Sequence, residues 1–273
     1  MPLAPGSSTN RQSDDFLTLA AIGILAYVCC DMGHELVGHG AACLVTGGHA
    51  ISFSTVHFQC FGGWQRLVCS GGILFNIALG AFCALALRFA RPTAVRTRYF
   101  LWLTMAYNFF TGFGYMVSSA VRNSGDLANA ARGLAPVWHW RIAAAGTGAL
   151  LYAAAVWVVT RDLGKYIGPR GSARVWQLIL VPYFSAAFVA CAAGLENSIL
   201  QTSQVLLMAV DTTLGVWGLL LIPALWRFIG SPNTVTSPAQ PVTRNAIWVV
   251  AAAGVAIAFV VIIGPGLRLA RIG

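Results

Sequence analysis

His34, Glu35 and His39 stand close together in the run His34-Glu35-Leu36-Val37-Gly38-His39. A His-Glu pair followed by a second His on one helix is a common way to build a hydrolytic zinc site. Two imidazoles bind the metal, and the carboxylate polarises the metal-bound water. The usual separation of the two His residues is four positions, and here it is five. On an ideal helix, at about 100° per residue, four positions leave the rings about 40° apart and five put them about 140° apart. A single π-type turn absorbs one extra residue, and Gly38 inside the motif lowers the cost of that distortion. The spacing therefore predicts a helix that departs from ideal geometry between Glu35 and His39, with both rings on one face.

The elements that must position these residues are apolar helices. The 273 residues are 58% hydrophobic and 9% charged, with a mean hydropathy of +0.72, against roughly 25% charged residues in an ordinary soluble domain. A hydrocarbon core of about 30 Å needs about 20 helical residues. Uncharged runs of that order are Leu67–Leu87, Tyr99–Val121, Ile142–Thr160, Val175–Leu195 and Ala246–Leu267. Two more are interrupted by acids: Phe16–Val45, with Asp31 and Glu35, and Ile199–Trp226, with Asp211. The expectation is an all-α polytopic membrane protein of six to seven transmembrane helices, since backbone polar groups in lipid must be satisfied within the segment. Between the first two helices, Ile51–Phe61 is rich in β-branched and aromatic residues and closed by Gly62-Gly63, which predicts a short β hairpin at the membrane surface.

Residues 1–15 read as a polar tail, 16–140 as a three-helix core carrying the motif, and 141–273 as further membrane helices of the same domain. The tail lacks the basic flank of a cleaved signal peptide, so the first span is expected to be retained. Gly230–Thr243, with three prolines, reads as a linker. The seven cysteines show no Cys-x-x-Cys spacing and are read as small lipid- or helix-facing residues.

The net charge of +9 comes from Arg residues scattered through short loops, not from the face or tract that nucleic acid would require. Alternating seven spans, one side collects Arg11, Arg88, Arg91, Arg96, Arg98, Arg161, Lys165, Arg170, Arg174, Arg227 and Arg244. The other collects Arg66, Arg122, Arg132, Arg141, Arg268 and Arg271. The balance of 11 against 6 points to a cytoplasmic N-terminus and puts the late end of the first span outside.

The His-x-x-x-x-His spacing, with Gly38-His39-Gly40, is similar to the helix motif of the dipeptidyl-peptidase III family of zinc peptidases, which shows that such a spacing can bind zinc. Across residues 16 to 140 the chain more broadly resembles the site-2 protease family of intramembrane metalloproteases. The likeness rests on the motif helix, the small residues Gly40-Ala41-Ala42 and the Gly47-Gly48 break. Beyond these come Ser70-Gly71-Gly72-Ile73-Leu74-Phe75-Asn76, the span with Asn108, and Gly125-Asp126. The Asn-x-x-Pro and Leu-Asp-Gly wording of that family is absent; Gly125-Asp126-Leu127 approximates it. The resemblance implies a zinc-dependent intramembrane endopeptidase acting on a peptide or membrane-protein substrate in contact with lipid. It assigns Glu35 as the base and His34, His39 and Asp126 as ligands, and it puts the site on the cytoplasmic side, against the charge balance.

Around this set, Asp31 lies one turn before His34 and is a candidate to accept its second ring proton. Asn76 and Asn108 are candidates to hold substrate, although Asn in membrane helices also ties helices together. Asp211 reads as a helix–helix partner, and His49 and His57 as interfacial residues that are also alternative ligands. The competing reading is non-enzymatic: a proton-coupled transporter using Asp31, Glu35 and Asp211, or an inactive protease-like scaffold. The abundance of Arg over Lys suits a bacterial inner membrane.

Overall fold

A computed structural model describes residues 13–91, 93–168, 171–199, 215–229 and 240–269. Helix α1 (Phe16–Met32) starts where Asp15 caps it, its Oδ1 accepting from the Thr18 amide at 2.8 Å and the Thr18 hydroxyl at 2.7 Å. The helix continues without interruption through a π-helical turn, Gly33–His39, into α2 (Gly40–Val45). The strands β1 (His49–Phe53) and β2 (Phe58–Phe61) follow, then α3 (Gln65–Phe89), α4 (Val95–Arg122) and the short α5 (Asp126–Ala130). The remainder is α6 (Val137–Asp162), α7 (Ser172–Leu195), α8 (Gly218–Ile229), α9 (Ala246–Ile257) and β3 (Leu267–Arg268), with further π-helical turns after α6 and α9.

Among the described residues five helical stretches are long and apolar enough to cross a membrane: Phe16–Val45, Gln65–Phe89, Val137–Ile167, Ser172–Leu195 and Ala246–Ile263. Helix α4 has 28 residues and is long enough as well, at about 1.5 Å per residue, but it is less apolar. Its position explains this. It packs against α1, α3 and α6, and Tyr99, Trp102, Met105, Tyr107, Asn108 and Phe110 are all fully buried, so protein rather than lipid solvates it. The expected span at Ile199–Trp226 falls largely on residues outside those described, as do Asp211 and most of the Gly230–Thr243 linker.

Aromatic donors lock α4 to its neighbours. Pro182 inside α7 has no N–H, so the carbonyl of Leu178, four residues earlier, loses its helical partner. The Tyr99 hydroxyl donates to that carbonyl at 2.5 Å, and Tyr107 donates to the Pro182 carbonyl at 3.1 Å. Trp102 Nε1 donates to the Val159 carbonyl on α6 at 2.9 Å.

The hairpin expected over Ile51–Phe61 is present, with His49 opposite Phe61, Phe53 opposite Phe58 and a bulge between Ala50 and Ser52. It belongs to a three-stranded antiparallel sheet of order β2-β1-β3, in which Ser52 pairs with Arg268 and Phe53 with Leu267. This corrects the reading of Ala246–Leu267 as one helical run. The helix ends at Ile263, the chain turns through Gly264-Pro265-Gly266, and Leu267 enters the sheet. A strand of two residues leaves no periodicity for the sequence to display. The cysteine reading also needs correction: Cys43 and Cys60 form a disulfide joining α2 to β2, and the other five are free.

Candidate metal centre

The π-helical turn covers Gly33–His39 and supplies the distortion that the five-residue spacing requires. Bonding from residue i to i+5 widens the turn, and the two imidazole centroids lie 4.9 Å apart. Leu36 and Val37 point outward and are exposed, while His34, Glu35 and His39 are buried.

Helix α3 approaches this turn closely because both sides lack side chains. A Cβ added to Gly38 would meet the Gly72 Cα at 2.6 Å, and one added to Gly72 would overlap the His34 imidazole. The same helix carries Asn76, whose Oδ1 lies 2.5 Å from His34 Nδ1, and Val68, whose carbonyl oxygen lies 2.6 Å from His39 Nδ1. Asp126 arrives from beyond α4. Asn123 ends that helix in the left-handed region at φ 52°, Gly125 turns the chain at φ 84°, and Asp126 opens α5. One carboxylate oxygen, Oδ2, lies 2.9 Å from His34 Nε2 and 3.4 Å from His39 Nε2.

The hydrogen-bond directions determine what the three groups present to one another. The Val68 carbonyl accepts only, so His39 Nδ1 carries a proton. Asn108 Nδ2 donates to the Thr104 carbonyl at 2.8 Å, which turns Asn108 Oδ1 toward Asn76 Nδ2, also at 2.8 Å. Asn76 Oδ1 therefore faces His34 and accepts from Nδ1. With both Nδ1 positions protonated, neutral imidazoles present bare Nε2 lone pairs to a carboxylate. Three acceptors without a proton between them repel one another unless a cation sits among them.

The donor set fits a divalent metal. The candidate ligand atoms of His34, His39 and Asp126 all lie within 4.8 Å of one another. Two ligands on a tetrahedral zinc with bonds of 2.0–2.1 Å stand about 3.3 Å apart, and the two Asp126 distances bracket that value. Two N ligands and one O ligand leave a fourth position open, as in catalytic rather than structural zinc sites. Burial by itself would raise the Asp126 carboxyl; when protons rather than a metal hold the three groups together, hydrogen bonds and charge from the protonated His34 and His39 outweigh it and hold the group well below the usual carboxylate range.

Glu35, Asp31 and His57 line the same cavity of about 430 Å³. Asp31 is not the partner of His34 Nδ1, which corrects that expectation: Asn76 has the place, and Asp31 Oδ1 accepts from the Tyr27 hydroxyl at 3.3 Å. Asn76 and Asn108 are fully buried and engaged with each other, with His34 and with backbone. Asn76 thus stands behind His34 and, with Asn108, also ties α3 to α1 and α4. His57 does not join the converging group; burial, reinforced by His39, holds its imidazole below the ordinary value. His49 lies exposed on β1.

Sequence reasoning missed the Val68 carbonyl, which leaves no trace in residue type. It also missed Tyr115, whose ring lies 5.1 Å from that of His34, and the disulfide. The one available signal was that Cys60 lies in the predicted hairpin and Cys43 close to the end of the first apolar run, just before it, whereas the other five sit inside apolar runs. Comparison with family models, curated proteins and solved structures finds no match to this chain.

Proposed function

We propose that the protein is a membrane-embedded zinc metallopeptidase that hydrolyses a peptide bond within or next to the bilayer, in a bacterial inner membrane. The observation that carries this reading is the convergence of His34 Nε2, His39 Nε2 and an Asp126 oxygen, with buried Glu35 beside them on the cavity wall. Zinc would supply Lewis acidity and lower the pKa of a bound water toward neutrality. Glu35 accepts the proton of the attacking water and passes it to the leaving amine, a positioned carboxylate worth typically 10²–10⁴ in rate. Asn76 and the Val68 carbonyl fix the ring orientations so that both Nε2 atoms face the metal position.

Access from the lipid phase supports the same reading. An apolar cleft of about 980 Å³ between α4, α6 and α8 shares Tyr115, Arg122 and Gly215 with the metal cavity. An apolar peptide segment seated in this cleft would lie next to the metal position.

The test is metal analysis of the purified full chain. About one zinc per chain, lost in His34→Ala and His39→Ala, supports the peptidase; a chain without metal supports the non-enzymatic reading. Substrate then comes from trapping with Glu35→Gln, which retains metal and holds uncleaved peptide.

A further inference from the structure

We infer that the metal site opens on the extracytoplasmic side of the membrane, so its substrate is a polypeptide segment presented at the outer face, such as the membrane-proximal part of an exported protein. The inference takes its substrate class from the peptidase reading above, but the orientation does not depend on it.

Two unrelated properties of the chain agree. The first is the sulfur chemistry at the site. The Cys43–Cys60 disulfide has one half four residues past the ligand His39, and its other half, Cys60, lines the metal cavity. Disulfides form and persist in oxidising compartments and are kept reduced by cytosolic thiols. The five cysteines not joined in it lie on the helices.

The second is charge. Hydrogen bonds define the end of the bundle opposite the metal site: Arg174 binds Asp14 at 2.6 and 3.0 Å, Asp14 accepts from the Val242 amide, and Arg96 reaches Thr243. The sheet, the disulfide, α5 and β3 lie at the other end. The helices thus alternate between ends as the sequence implied. Among the described residues nine Lys and Arg fall at the end away from the site and five at the site end. An excess of positive charge marks the cytoplasmic side, which leaves the metal end outside. The resemblance noted in the sequence implied the opposite side, and both the disulfide and the charge balance oppose it.

The disulfide also ties the motif helix to a strand that borders the cavity. With Phe58 stacked 6.4 Å from the His39 ring, the hairpin forms a wall of the site, and oxidation outside the cell completes that wall.

The experiment uses the full chain in bacterial cells. Protein denatured directly into an alkylating reagent is expected to take up five labels without reduction and seven after it, matching five free thiols and one disulfide. Leu134→Cys, in the loop after α5, is expected to react with a membrane-impermeant maleimide in spheroplasts, above the unsubstituted baseline. Thr93→Cys, at the opposite end, should react only after the membrane is breached. Trp138→Cys replaces Leu134→Cys if that variant fails to accumulate. Seven labels without reduction, or the reverse maleimide pattern, overturns the orientation. None of these readouts involves cleavage, so a chain that labels as expected but hydrolyses nothing would remove the peptidase reading and keep the topology.

Discussion

Gly38 and Gly72 meet backbone to backbone: a Cβ on the first would lie 2.6 Å from the Cα of the second. This approach lets α3 deliver Val68 and Asn76 to the two imidazoles, so the geometry of the His34–His39–Asp126 cluster depends on the absence of two side chains. Gly72→Ala is expected to drive the His34 ring out of place. The cost should be about 1–3 kcal/mol, the usual range for overpacking, with loss of zinc affinity. A thermal melt and a competitive zinc titration on the same sample check both, and unchanged affinity would show that His34 tolerates the methyl group.

Glu35→Gln should keep the fold and the metal while lowering hydrolysis by 10²-fold or more, because it removes the base and preserves size. Zinc content and cleavage of a trapped substrate are the paired readouts. A variant that cleaves at the wild-type rate would reassign the base.

Asn76→Ala should weaken zinc binding by about 10–100-fold, the usual cost of losing a hydrogen-bond partner behind a ligand. Asn108→Ala should cost less, because Asn108 acts on His34 only through Asn76. Equal losses in the two variants would mean that both residues serve helix packing and not ring orientation.

Acid should act on the site in two steps. Metal binding requires neutral imidazoles, so zinc occupancy should fall as pH drops below neutrality. Asp126 is held below its ordinary value. Its contribution to stability is therefore complete above the unfolded carboxylate value of about 3.9 and is lost as pH falls through the lower folded value. In metal-free protein, Asp126→Asn should be destabilising at pH 7, with the gap to wild type narrowing at the most acidic pH that the fold survives. A gap independent of pH would remove Asp126 from the charge network.

How much of this was legible depended on whether the relevant physics resides in residue type. The His-Glu pair with a second His on the same helix singled out His34, Glu35 and His39, and the five-residue spacing required the distortion found at Gly33–His39. Asp126 was reached through the resemblance, and it does converge on both imidazoles. The partner of His34 was misread because Asp31 is the nearer acid along the chain, whereas Asn76, 42 residues away, is the nearer group in space. Helix α4 shows the converse: its inward polar groups lower its apolarity although it occupies the centre of the bundle. The disulfide and β3 share a reason for being missed, since each is a pairing between separate segments that carries no local periodicity, and only the positions of Cys43 and Cys60 hinted at the first.

The sheet has a bearing on how the protein is made. The residues that converge at the candidate site have all been synthesised by Asp126, yet β1 takes its second neighbour from Leu267–Arg268, far later in the sequence. During biosynthesis one edge of the sheet beside the site therefore stays open after His34, His39 and Asp126 have been made. That edge closes only after α9 has been made, so the surroundings of the site wait on a segment synthesised long after its own residues.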